Sequence, residues 1–552
     1  MKRSDRRLLG RVLLSVPLIA AVAWSACGEG DRQERDAGRR GGSITISHTS
    51  QPDFLDPALS FSLNGWEAMW IVYTPLLTYA HEEGRKGTRL IPGLARELPR
   101  ISDDGRTYRL TLRDGLRYSD GRPVRASDFE HTIKRVLALE SQGTSYYQVI
   151  EGASEYIRAG RPGADLRGVE TDDASGRITI RLVEPSGTFA NVLAMNFAGL
   201  VPGDTPFANR TRDPPPGVGA YRIARSVPNR EFVLERNRRF DVPGISEGKI
   251  DRITVRIVSS PQRQAQDVIR GRLDFMTDAP PPDLLAEIKR RYGDRFETFS
   301  TAVVDYFWLN VREEPFDDRR VRQAANLALD RPGIARLLGG LFQPGCNLLP
   351  PAIPGHEPLD HCPGGVPADR RDLDRARRLV RAAGGEGADV KVWGITEEPG
   401  RSVAVAFADM LSEAGLDAKP RLLDFPVWLA AVGNQRTRAQ TGVMSWSPSF
   451  PHPADYLGQF SGAHITRTGN LNKGNVDDPR ITAAITRLER EPDLEAVAEE
   501  WAQVERDLAA GAYAAVAGYQ KLTTFMSERM NFDDCSLNHP IYAHDYSSFC
   551  LK

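Results

Sequence analysis

The chain has 552 residues, 41% of them hydrophobic and 26% charged, with a formal net charge of -1. One hydrophobic core stops growing near about 250–300 residues, so two or more lobes are required. The balanced charge and ample apolar content exclude a disordered chain and a surface built to hold nucleic acid.

Lys2, Arg3, Arg6, Arg7 and Arg11 precede the apolar run VLLSVPLIAAVAW. That run is shorter than the ~20 residues a membrane-spanning helix needs, and it has the layout of an export signal. It ends in WSAC, where small Ser25 and Ala26 ahead of Cys27 resemble a bacterial lipobox, although Trp24 stands where that motif carries Leu, Val or Ile. Residues 1–27 are therefore expected to be a lipoprotein signal peptide with Cys27 as the lipidation site, which would anchor the mature chain to the membrane. An ordinary secretory signal with an incidental cysteine is the alternative. Residues 28–42, GEGDRQERDAGRRGG, read as a flexible tether.

SITISH alternates as a strand, and GWEAMWIVY carries apolar residues at helical spacing up to Pro75. In TYRLTL the apolar residues Tyr108, Leu110 and Leu112 alternate with Arg109 and Thr111, the pattern of a half-buried strand. SDGRPVRASDFEHTIKRV then gathers Asp120, Asp128, Glu130 and His131 within a dozen residues. Each has a structural reading. Asp120-Gly121 makes a turn, Ser127 and Glu130 form a capping box, Asp128 complements the positive helix end, and His131 lies on the exposed face. The cluster is expected to be scaffold rather than an active site.

RITIRLVEP and KIDRITVRIVSS are further strands, with a hairpin predicted over AYRIARSVPNREFVLERNRRF. PQRQAQDVIR is helical, with a strand following Gly271. From Val303 onward strand-like and helical segments alternate: DYFWLNV, PFDDRRVRQAANLALDRPGIARLLGG, DLDRARRLVRAAG, ADVKVWGI, RSVAVAFADMLSEAGL, DAKPRLLDF, PVWLAAV and GVMSW. Such alternation marks an α/β lobe. The helix LEAVAEEWAQVERDLAAG and the strand AYAAVAGYQKLTTFM close the series.

Apart from Cys27 there are four cysteines, in two sequence-local pairs: Cys346 with Cys362, and Cys535 with Cys550. In an oxidising compartment each pair is expected to close a short disulfide loop. His356 and His361 beside Cys362 leave a metal site as the competing reading, although no Cys-x-x-Cys pair accompanies them.

The string SDDGRTYRLTLRDGLRYSDGRPVRASDFEHTIKRV resembles the signature of the large extracellular solute-binding proteins of ABC importers, the peptide/nickel/oligopeptide class. FLDPALS, GVGAYRIARSVPNREFVLERNRRF, RGRLDF, LNVREEPFDDRRVRQAANLALDR, RRLVRAAG and VAGYQK follow in family order over nearly the whole mature chain. The resemblance implies an α/β fold: a two-lobed, periplasmic-binding-protein-like clamp with a third inserted domain and a two-segment hinge. A discontinuous first domain would take residues 43–82, 196–299 and 520–552, the inserted second domain 83–195, and the third 300–519, with hinge strands near Ala302 to Asn310 and Ala514 to Lys521. It further implies a monomer outside the cytoplasmic membrane, in the periplasm or on the cell surface. Such a protein takes a peptide or similar small solute and an ABC permease as partners, and needs no cofactor and no metal. An oligosaccharide or metal chelate as ligand, or a sensor or chaperone role, stays open.

In peptide-binding relatives the cleft wall is a strand ending in Trp, with an Asp three residues later that holds the peptide's amino group. Here GVMSWSPSFPHPADYL supplies Trp446, but Ser449 occupies the acid position, and a serine cannot give the charge-assisted bond of a carboxylate. Asp455 either compensates from the following turn or starts the next helix. Ser445 and Ser447 flank Trp446, Trp428 corresponds to another cleft aromatic, and Gln51, Asp53 and Tyr519 are the expected contacts from the first domain and the second hinge strand. Against an enzyme, the sequence holds neither a Gly-x-Ser-x-Gly elbow nor a His-Glu-x-x-His motif.

Overall fold

The computed structural model describes residues 38–552; the expected signal peptide, the lipidation site Cys27 and most of the tether lie outside them. Two long strands, Phe296–Leu309 and Ala514–Met526, organise the molecule. Both are rich in aromatic and β-branched residues, which suit a pleated surface packed on both faces. They pair antiparallel, Phe296 to Ser300 against Phe525 to Lys521 and Val304 to Trp308 against Tyr519 to Ala514, with register shifts in between. Irregularities of this kind bend a strand and increase its twist.

On one side the first long strand pairs with Thr441–Trp446, followed by the parallel strands Asp389–Ile395 and Asp417–Leu423. On the other side the second long strand pairs with Phe275–Met276, followed by parallel Ser43–His48 and Arg252–Ile257 and then the hairpin of Glu231–Arg236 and Tyr221–Val227. The result is one eleven-stranded sheet, in which the short strand Phe342–Pro344 also pairs with the second long strand around Gly518. The expected hinge segments thus fall in two mutually hydrogen-bonded strands. Phe307, Val392 and Phe407 belong to one apolar cluster, and Ile44, Val255 and Phe275 to another that runs on through the inserted segment.

That inserted segment carries its own four-stranded sheet, ordered Arg100–Ile101, Thr107–Thr111, Arg177–Arg181, Val169–Asp172. Its helix Ser127–Ala138 packs Phe129, Ile133, Val136 and Leu137 inward, as the spacing predicts. The same helix reaches the chain before it through a fully buried ion pair: Arg135 Nη2 lies 2.8 Å from Asp56 Oδ2, with both side chains at 0% exposure. Arg135 also donates to the carbonyls of Pro206 and Ala208, and Asp56 accepts from the backbone N–H groups of Ala58 and Arg210. Satisfaction of this kind is what makes a buried pair tolerable.

The capping box is not formed as expected. Ser127 instead donates its Oγ to Asp173, which also takes the Ser127 N–H at 2.8 Å. Asp128, not Glu130, reaches back along the chain, accepting from Arg125 N, while also accepting from Tyr118 Oη and Gly203 N. Glu130 pairs with Lys134 one turn on, at 2.6 Å. His131 is half-buried rather than exposed, its Nε2 2.9 Å from the Thr205 carbonyl oxygen. All four residues of the cluster are engaged in scaffold: Asp120 with Arg122 and Glu130 with Lys134 through local partners, Asp128 and His131 also through Gly203 and Thr205 from far along the chain.

Both disulfides form as paired in the sequence: Cys346 with Cys362 and Cys535 with Cys550, at Cα separations of 5.0 and 5.5 Å. The metal alternative falls because Cys362 is bonded to Cys346 and His356 Nδ1 turns to the Leu349 carbonyl at 2.6 Å. The loop closed by Cys535 and Cys550 inserts three polar side chains into the first part of the chain. His544 Nδ1 lies 3.0 Å from Glu67 Oε1, Tyr546 donates to Glu67 Oε2 at 2.6 Å, and Asp545 meets His81 at 2.6 Å.

Candidate functional site

The strand Thr441–Trp446 delivers Trp446 to the edge of the α/β lobe, and the short helix Pro453–Leu457 returns the chain beneath it. Three prolines at 448, 451 and 453 keep the connection extended and leave few N–H groups to satisfy. The helix starts with Pro453 in its first turn and the buried His452 as its cap, Nδ1 accepting from Ala454 N at 3.1 Å. Burial holds that imidazole neutral, its pKa pushed down to about 3.

Asp455 follows in the first helical turn, so the reading that it starts the next helix holds. Its side chain nonetheless points back to the predicted site. Oδ2 accepts from Trp446 Nε1 and from the Ser449 backbone N–H, both at 3.1 Å. Burial pushes its carboxyl up to about 7, partly offset by these two donors. Ser449 Oγ is 2.6 Å from Tyr146 Oη of the inserted segment, and the Phe450 ring meets Tyr146 edge-on at 6.2 Å.

Trp446, Ser449 and Asp455 therefore converge where the inserted segment meets the lobe. Beside them lies a cavity of about 420 Å³ bounded by Glu184 and Ser186 on one side and by Phe450, Asp455, Glu489 and Arg490 on the other. A backbone bond from Gly187 N to the Glu489 carbonyl, 2.7 Å, closes its rim.

The other predicted residues lie elsewhere. Ser445 alternates to the opposite face of the strand from Trp446, where Gln520 Nε2 donates to its Oγ and to Asp305 Oδ1, each at 2.9 Å. Ser447 is exposed in the connecting loop. Trp428 is 4% exposed and packs against Trp308; the aromatic that its helix presents to solvent is Phe425, 50% exposed and stacked on Trp428. Tyr519 is buried, donating to the Asn347 carbonyl at 3.2 Å. Gln51 and Asp53 line a separate cavity of about 390 Å³. There Gln51 Oε1 accepts from Asn229 N, while the Asp53 carboxylate is taken up by donors of its own loop, Phe54 N, Phe61 N, Ser62 N and Ser62 Oγ.

Two contributors escaped sequence reading. Tyr146 sits in TSYY, which carries no local signal, and Asp305 lies within an apolar strand. Burial raises the Asp305 carboxyl to about 6, with Ser445 and Gln520 opposing. The alternation break at Asp305 in VVDYFW was the one available sign of a half-buried acid. Among the described residues no group of His, Cys, Asp and Glu is arranged to hold a metal ion, and no helix is long and apolar enough to cross a membrane.

An α/β lobe that shares one sheet with the strands of the first part of the chain and meets an inserted segment over a cavity defines a clamp of the solute-binding kind. The description of the bacterial extracellular solute-binding proteins, family 5 (middle region), matches residues 89–466, and the chain belongs to that family. Its members bind solutes rather than convert them, and the protein is accordingly an extracytoplasmic binding protein, not an enzyme. Among solved structures, clavulanic acid biosynthesis oligopeptide binding protein 2 is 28% identical with a TM-score of 0.82, over 93% of this chain and 96% of that one. Protein XP55 of Streptomyces lividans is 24% identical over 525 residues, 92% of this chain and 89% of the relative. The dipeptide-binding protein of Escherichia coli (strain K12) is 23% identical over 450 residues, 78% of this chain and 81% of that protein.

Proposed function

We propose that the protein is the capture subunit of an ABC importer for peptides, closing its lobes on the ligand and passing it unaltered to a membrane permease. The observation that carries this reading is the meeting of Trp446, Ser449 and Asp455 with Tyr146 beside the cavity between the inserted segment and the lobe. Relatives named for dipeptide and oligopeptide binding support a peptide as the ligand. A probable peptide ABC transporter periplasmic-binding protein of Sinorhizobium fredii, 27% identical over 63% of this chain and 64% of that one, supports the importer. The three-domain division at 43–82, 196–299 and 520–552, at 83–195 and at 300–519 belongs to the same reading. In it the two long strands serve as hinge, the chain acts as a monomer, and Cys27 carries the lipid anchor.

Native mass spectrometry of freshly purified protein, followed by titration calorimetry with the solute found, tests the proposal. A bound peptide is expected. Trp446→Ala should weaken its binding by about 5–30-fold, as loss of an aromatic contact of ~1–2 kcal/mol implies. A co-purified sugar or chelate, or unchanged affinity in Trp446→Ala, overturns the peptide reading or this placement of the cleft.

A further inference from the structure

Arginines from three elements crowd one corner of the first part of the chain. Arg225 and Arg230 come from the hairpin of Tyr221–Val227 and Glu231–Arg236 and from its turn, Arg256 from the neighbouring strand Arg252–Ile257, and Arg263 from the first turn of the helix Pro261–Ile269. The pairing of Arg256 opposite Glu231, and the bond from Ile257 N to the Arg230 carbonyl at 2.9 Å, hold the strand end against the hairpin turn. There a cavity of about 410 Å³ is lined by Arg230, Glu231, Arg256, Ser259, Ser260 and Arg263. It shares no residue with the cavity beside Trp446.

Elsewhere on this sheet bases meet acids: Arg222 and Arg252 both pair with Glu235, and Arg236 with Asp251. At this corner the acids are used up. Glu231, which faces Arg256 across the strands, is taken by Arg225. Asp267, 3.7 Å from Arg263, is already held by Arg272, whose Nε lies 2.7 Å from Oδ1. Among the described residues no carboxylate pairs with Arg230 or Arg256, and both side chains are exposed. The chain as a whole has a net charge of -1, so this excess of positive charge is a matter of placement, not of composition. Gathered guanidinium groups repel one another, and an anion seated among them relieves that repulsion.

The neutral lining suits the same guest. Ser260 caps the helix, its Oγ accepting from Arg263 N at 3.2 Å, which leaves its own hydroxyl hydrogen to donate. The N–H groups of Ser259 and Ser260 meet no acceptor among the described residues, and the positive end of the helix adds to the field of the arginines. A guanidinium fork matches two oxygens of a phosphate at once. A carboxylate has only two oxygens and satisfies one such fork, whereas a phosphate can serve Arg230, Arg256 and the serine donors together.

We propose that this corner is a binding site for a phosphate group, presented either by a free phosphate anion or by the headgroup of an anionic lipid. Arg230 and Arg256 grip the phosphate, Arg263 adds charge, and Ser259 and Ser260 donate to its remaining oxygens. The site is independent of the peptide reading, since it uses neither the inserted segment nor the α/β lobe.

Calorimetry with inorganic phosphate and with acetate tests it, at a physiological ionic strength of ~0.15 M that screens the general field of the surface. Wild-type protein is expected to bind phosphate saturably and acetate about tenfold more weakly, and Arg230→Gln/Arg256→Gln to lose about tenfold in phosphate affinity. Both side chains are exposed, so this variant should keep the circular dichroism and urea midpoint of wild type. Arg222→Gln/Arg270→Gln removes the same charge away from the cavity and should leave phosphate binding unchanged. Sedimentation of the full chain with phosphatidylglycerol or phosphatidylcholine vesicles separates the sources. Retention that favours phosphatidylglycerol and falls in Arg230→Gln/Arg256→Gln assigns the lipid headgroup; phosphate binding without that preference assigns the free anion. Equal losses in the two double variants, or acetate bound as tightly as phosphate, overturn the site. So does the absence of both saturable phosphate binding and an arginine-dependent preference for phosphatidylglycerol.

Discussion

Tyr146 and Ser449, 303 positions apart in sequence, bring their hydroxyl oxygens within 2.6 Å and so join the inserted segment to the α/β lobe. The bond exists only where these two surfaces meet, so it weights the closed arrangement over any more open one.

Tyr146→Phe should therefore lower affinity for the bound solute about 5-fold, the ~1 kcal/mol of a neutral hydrogen bond, mainly by raising the dissociation rate. Ser449→Ala should match it, and the double variant should be no worse than either single one, since both remove the same bond. Stopped-flow dissociation measures all three. Additive effects would show that the hydroxyls act separately.

Asp455 and Glu505 are each raised to about 7, chiefly by burial; Glu505 accepts from Asn347 Nδ2 and Leu349 N, both at 2.8 Å. A carboxyl whose folded pKa lies above its unfolded value binds a proton more readily in the native state. Native stability is then lost as pH rises from about 4 to about 7. Asp455→Asn and Glu505→Gln should each remove part of that slope, reducing the change in unfolding free energy between pH 4 and 7, measured by urea titration, by on the order of 1–3 kcal/mol relative to wild type. A slope identical to wild type in both variants would contradict the burial seen here.

The Arg135–Asp56 pair fastens the inserted helix to the chain before it. Asp56→Ala strands a guanidinium in an apolar setting, which costs about 3–5 kcal/mol. Urea unfolding should register that loss, and hydrogen exchange should locate the first opening at Ser127–Ala138. A loss below about 1 kcal/mol would mean that the Pro206 and Ala208 carbonyls alone satisfy Arg135.

Replacing Cys535 and Cys550 together by Ser should cost ~3 kcal/mol through loop entropy, given their separation of 15 residues. It should also loosen His544 and Tyr546 from Glu67, read as faster exchange of their amides. Thiol labelling of folded, exported wild-type protein should find no reactive sulfhydryl at Cys346, Cys362, Cys535 or Cys550.

What the sequence disclosed follows a physical division. Tyr108 and Leu110 alternate because one sheet face is buried, and Phe129 and Ile133 recur at helical spacing for the same reason; both patterns are local and legible. The two disulfides were equally accessible, since each closes a short segment. Partners brought from far along the chain were not. Ser127 is satisfied by Asp173 and not by Glu130. Trp428 turns inward because Trp308 waits there, leaving Phe425 outside. At the site, Trp446 is picked out only by the resemblance of its strand to the cleft wall of peptide-binding relatives, whereas Tyr146 and the backward reach of the Asp455 carboxylate depend on tertiary placement alone.

The strand Ala514–Met526 comes near the end of the polypeptide yet occupies the middle of the eleven-stranded sheet. A chain threaded through a translocation pore from its amino terminus must wait for that segment to emerge before Phe275–Met276 and Phe296–Leu309 find their shared neighbour. Maturation on the far side of the membrane is thus timed by the last part to arrive, and a copy terminated before Ala514 lacks the strand that both sides of the sheet share.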